Sequence, residues 1–197
     1  MPQFAIPAIT GRALLEGASQ AAAETRVLRD GPDEWFSFAE AYWSCADARV
    51  NELSRTDGGT NAAAPVLFLL RQYVELSLKG LFAIGAELQQ MLYAPPPYHT
   101  LGPLWEQVRA LILEFSPDSA GVWLDRSREI ISQFDAVDAR SFTFRYPVTT
   151  RGDPSGVPTT VSLESVRDVM LELRIVLDGA GALLGELRDL ARELGEM

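Results

Sequence analysis

The stretch LFLLRQYVELSLKGLFAIG, residues 67–85, decides how the chain folds. It is apolar on nearly every side, as a helix enclosed by neighbours must be. Yet Arg71, Glu75 and Lys79 fall in it at a spacing of four, which stacks them on one stripe of that helix. Glu75 is one turn from both cations and can pair with either. Burying ions costs several kcal/mol each unless partners are well placed. The stripe is therefore expected to fix something: bundle register, a polar pocket or a subunit contact.

Helical periodicity continues on both sides. Before it, Trp35, Phe36, Ala39, Tyr42, Trp43, Ala46, Val50 and Leu53 recur at helical period from Asp33 onward, and TDGGTN ends the run. A weaker amphipathic pattern over 8–27 predicts an N-terminal helical extension within residues 1–30. After it, YAPPPYHT imposes an extended connection, because successive prolines cannot continue a helix. Thr100 is placed to cap the next helix, whose stripe is Leu104, Trp105, Val108, Leu111 and Ile112. A further helix carries Trp123, Leu124, Ile130, Ile131 and Phe134. In SFTFRYPV the period drops to two, with Phe142, Phe144 and Tyr146 on one side, which predicts a small β-hairpin over 141–161 that turns at TTRGDPSG. Ser162 then caps a long leucine-rich helix interrupted by Gly179, Gly181 and Gly185. Such glycines either kink a helix or let another approach closely. The expected fold is all-α: an up-and-down helical bundle forming one domain over 1–197, with one small hairpin before the last helix.

Composition narrows the function. A formal net charge of −10 repels nucleic acid and anionic lipid on average, although a local basic groove remains compatible with it. The one cysteine, Cys45, cannot form an internal disulfide, which suits a reducing cytoplasm, and its aromatic-rich helix suggests an inert buried thiol. The N-terminus lacks the pattern of a secretory signal, and the longest apolar run is too short for a membrane span. A cytoplasmic protein with no membrane association is expected. No phosphate-cradling glycine loop, nucleophile elbow or di-iron pattern is present, and one His with one Cys cannot build a zinc site. No metal and no cofactor are expected.

Candidate functional residues are few. His99, the only histidine, follows the prolines at a helix start, where its ring can bond the backbone or meet a ligand. Arg145, on the polar side of the presumed strand, could clasp a carboxylate of the bundle or a phosphate. Asp138 and Arg140 precede it and could complete an ionic cluster. With Arg71, Glu75 and Lys79, these are the residues expected to form a ligand pocket or an interface.

FLLRQYVELSLKGLF, followed by YHTLGPLW and then SFTFRYP, resembles a bacterial branch of the HEPN superfamily over roughly residues 35–195. The resemblance implies an α-helical bundle, a homodimer, and a role in toxin–antitoxin or phage-defence systems, with a partner protein from a neighbouring gene. It also implies one of two activities. Some HEPN proteins are metal-independent endoribonucleases; others are catalytically silent modules that bind RNA, nucleotides or protein. The nuclease branch carries Arg, four to six residues, then His on a late helix. Here QQMLYAPPPY before His99 holds no Arg. The expectation is therefore a non-catalytic binding or assembly module. The alternative is a divergent nuclease in which His99 works with Arg71 or Arg145.

Overall fold

A computed structural model describes residues 32–55, 62–92, 94, 96–119, 121–157 and 160–195. The helical extension expected within 1–30 lies outside the described residues. Among the described residues there are five α-helices: α1 (Pro32–Leu53), α2 (Ala63–Leu88), α3 (Leu101–Phe115), α4 (Val122–Asp138) and α5 (Leu163–Glu193). A single 3-10 turn, Pro117–Ser119, follows α3. No strand is found among the described residues. The all-α reading holds, and no described helix is long and apolar enough to cross a membrane.

α2 is the central helix, as its composition requires. Val66, Leu70, Tyr73, Val74, Leu78, Leu81 and Ile84 are buried, and so are Arg71, Glu75 and Lys79. Small residues bring its neighbours close. A Cβ on Gly85 would lie 2.4 Å from a Leu111 methyl, and one on Gly80 would lie 2.8 Å from the Phe36 ring. Those glycines are space for α3 and α1.

Cross-helix contacts give the helix directions. Lys79 lies over the Trp35 ring and Tyr73 packs edge-on against Trp43, so α1 and α2 are antiparallel. Three ion pairs, Asp33–Arg188, Glu40–Arg174 and Asp47–Arg167, run up α1 and down α5. The acids recur every seven residues, two helical turns, so they share one edge of α1. Arg128 pairs with Glu106, and Arg126 with Glu172, which makes α4 antiparallel to both α3 and α5.

One connection departs from strict up-and-down order. The start of α3 lies beside Arg71 of α2, where Arg71 meets the His99 carbonyl. The end of α3 lies beside the end of α2, where Gln89 meets Glu114. α2 and α3 are therefore parallel. Returning from Leu88 to the level of Arg71 covers about 25 Å of helix rise, which the segment between them can span if extended. α2 ends at Leu88, with Gln90 at φ 54°, and the connection to α3 is thus a crossover rather than a tight turn.

The expected hairpin is a correction. Residues 139–157 form successive turns with one antiparallel bridge, Val148–Pro154. The aromatic residues do not share a side. Phe144 is buried edge-on against Phe134, whereas Phe142 stacks on Tyr146 at 4.5 Å and Tyr146 is half exposed. The cause is local: Ser141 takes φ 55°, the Asp138 carboxylate captures the Phe142 and Thr143 amides, and the Arg145 amide closes a turn onto Phe142. Amides held this way cannot join a ladder. The RGD stretch forms the expected turn, with Gly152 at φ 89°. Cys45, expected to be buried, is exposed on α1.

Candidate functional site

Arg71 sits at 0% exposure, and each part of its guanidinium has a partner. Nε donates to the Asp138 carbonyl at 3.0 Å, Nη1 to Glu75 Oε2 at 3.0 Å, and Nη2 to the His99 carbonyl at 2.5 Å. One side chain of α2 thus ties together the entry to α3 and the end of α4. Arg suits this task because its planar fork offers donors in several fixed directions.

Glu75 completes the cluster. Its Oε1 accepts from Lys79 Nζ at 2.8 Å and lies 2.8 Å from His99 Nδ1. Burial pushes the Glu75 carboxyl up, but hydrogen bonds from Lys79 and His99 and their charge outweigh it and hold the group below its usual range. Lys79 is nearly enclosed and also faces the Trp35 ring. His99 differs: its side chain is 59% exposed. Its Nδ1 is the ring nitrogen turned to the carboxylate. The expected bond from its ring to the backbone is not what anchors it; Glu75 is.

Asp138 plays two parts. Oδ1 accepts the Phe142 and Thr143 amides at 2.5 and 2.7 Å. Oδ2 is buried without a hydrogen bond and faces Arg71 Nε at 3.8 Å. The expected ionic cluster of Asp138 with Arg140 and Arg145 is therefore replaced by a pair with Arg71. Arg145 instead lies over the Phe68 and Tyr146 rings, 6.0 and 5.9 Å from their centroids.

Sequence reasoning missed two features. Asp135 of α4 caps α3 from across the bundle, accepting the Leu101 amide at 3.0 Å and the Gly102 amide at 2.7 Å. Thr100, at the expected N-cap position, makes no side-chain cap bond. The other feature is the state of the arginines. Nine of the thirteen described arginines reach a carboxylate: 49, 71, 109, 126, 128, 167, 174, 188 and 192. The other four, Arg55, Arg140, Arg145 and Arg151, are exposed and have no such partner among the described residues; the last three share one segment. Arg140 also lines a cavity of about 410 Å³ with Asp138, Thr143, Thr149 and Thr150. Among the described residues, no group of three or more His, Cys, Asp and Glu side chains is placed to hold a metal ion. No family model, curated protein or solved structure matches this chain.

Proposed function

We propose that the chain is a non-catalytic, HEPN-like binding and assembly module that meets RNA or a nucleotide through its 139–157 segment and acts as a homodimer. The observation that carries this reading is the contrast among the arginines. Arg71 is fully enclosed and spends its donors on the fold, while Arg140, Arg145 and Arg151 are exposed and unneutralised in a chain of net charge −10. Threonine hydroxyls beside Arg140 add donors suited to phosphate oxygens. The buried cluster holds this segment in place: Asp138 lies between Arg71 on one side and the Phe142 and Thr143 amides on the other.

Titrating the full chain into fluorescently labelled single-stranded RNA tests the reading. Saturable binding at low salt is expected, with a log–log salt slope of about −2 for three phosphate contacts. The variant Arg140→Ala, Arg145→Ala, Arg151→Ala is expected to fold normally and lose about tenfold or more in affinity. Equal affinity in that variant would remove the support. A second reading, a divergent metal-independent endoribonuclease, is favoured by one observation: His99 is anchored to the Glu75 carboxylate through Nδ1 and presents a largely exposed ring. Arg71 cannot assist it from full burial. The RNA is expected to remain intact without added metal. Cleavage that disappears in His99→Ala would select the nuclease.

A further inference from the structure

A second concavity lies between α4 and α5, closed on one side by Phe144 of the arginine segment. Leu67 of α2, Ile130 and Phe134 of α4, Val166 and Met170 of α5 and the wedge residue Phe144 line a space of about 310 Å³. Two contacts flank it. Arg126 and Glu172 join the helices at one level, and the Phe144 ring enters perpendicular to Phe134, with centroids 6.4 Å apart. The recess opens to the surface and is lined almost wholly by apolar side chains. It falls at the lower end of the roughly 300–1,000 Å³ typical of ligand pockets.

The lining specifies the ligand's chemistry. Among the described residues, no ionisable side chain contributes to it. A charged ligand would lose hydration there with no counter-charge in return. Gln133 and Ser165 are the polar contributors, and both are exposed at the rim. The Ser165 hydroxyl donates to Ser162 Oγ at 2.9 Å, so toward the recess it offers lone pairs. From this we infer that the α4–α5 recess binds a neutral, largely apolar small molecule of one or two rings that carries a single N–H or O–H donor. The site does not rest on the arginine reading and can stand if that reading falls.

Fluoroindole, a neutral bicycle with one N–H, is the probe, followed by fluorine NMR with the full chain. Saturable binding at a single site is expected, and N-methylfluoroindole, which lacks the donor, should bind several-fold more weakly. Val166→Phe fills the recess and should weaken binding about tenfold or more. The triple arginine variant should bind fluoroindole as the parent does. Should Val166→Phe not fold, judged by circular dichroism, Val169→Met takes its place. The proposal is overturned if no saturable change occurs up to the solubility limit, or if a folded recess-filling variant binds with undiminished affinity.

Discussion

The His99 Nδ1 lies 2.8 Å from the Glu75 Oε1, on a carboxylate that also receives Lys79 on the same oxygen and Arg71 on the other. Glu75 is therefore the common acceptor of three cationic or ionisable donors drawn from α2 and from the entry to α3. A shared acceptor makes the cluster respond as a unit to any change at position 75.

Glu75→Ala should cost about 3–5 kcal/mol, because it leaves Arg71 and Lys79 facing each other in a poorly solvated place. Replacing Arg71 by Met, Glu75 by Leu and Lys79 by Met together should cost less. It still strands the Asp138 carboxylate, whose Oδ2 has only Arg71 beside it. Adding Asp138→Asn removes that charge while an amide oxygen can keep the Phe142 and Thr143 amides, so the fourfold variant should regain stability over the threefold one. Urea unfolding of the three variants checks the order. A Glu75→Ala effect within about 0.5 kcal/mol, as at open surface sites, would mean the cluster is solvated.

Asp135→Ala should cost about 1 kcal/mol, the usual worth of a helix cap. Thr100→Ala should change stability by less than about 0.5 kcal/mol. If the two effects were reversed in denaturant melts, the cross-bundle cap would not be holding α3.

These two clusters show where sequence is legible and where it is not. Periodicity located α2 at residues 63–88, and the Ser162 cap of α5 is formed, with its Oγ accepting the Ser165 amide. The Arg71–Glu75–Lys79 stripe was readable because its members are neighbours on one helix. The cap that Asp135 supplies and the pairing of Asp138 with Arg71 were not readable, since those partners are 33 to 67 residues away in the chain. Alternation in SFTFRYPV misled for a physical reason: period two reports extended backbone only if the amides are free for a ladder, and Asp138 takes two of them. The parallel course of α2 and α3 depends on where the proline crossover ends, which no local pattern encodes.

The pH dependence of stability should fall off on both sides. Glu75 has a lowered pKa in the fold, so its contribution is complete above its unfolded value of about 4.3 and is lost as pH falls through the lowered folded value. Tyr73 behaves in the opposite sense. Burial, and then the charge of Asp178, raises its pKa, so its contribution is complete below about pH 10 and is lost as pH rises above that. Urea midpoints across the pH range should show both limbs, and Tyr73→Phe should flatten the alkaline one alone. An unchanged alkaline limb in that variant would assign it to another group.

The last prediction concerns assembly. α5 runs 31 residues without a break, and its outer side carries Leu171, Ile175, Leu190 and, just past its end, Leu194, at 37%, 72%, 51% and 63% exposure. Among the described residues, of its three glycines only Gly181 faces a neighbour, whereas a Cβ on Gly179 or Gly185 would meet nothing within 4 Å. Those two are not explained by packing inside the bundle, and they leave room for a second helix to approach. A helix of this length spans about 46 Å, enough to contribute to the roughly 1,200–2,000 Å² a stable interface buries. Light scattering should therefore give twice 21.6 kDa in the micromolar range. Asp178, Glu186, Asp189 and Glu193 are exposed on the same helix, so two copies repel at low ionic strength and the dimer should tighten as salt is added. Ile175→Asp should yield a folded monomer, while Val122→Asp, on α4, should not. With Cys45 changed to Ser, Ala182→Cys at the centre of the exposed stripe should oxidise to a covalent dimer. A mass of 21.6 kDa at every concentration and salt level would place the exposed leucines outside any self-contact.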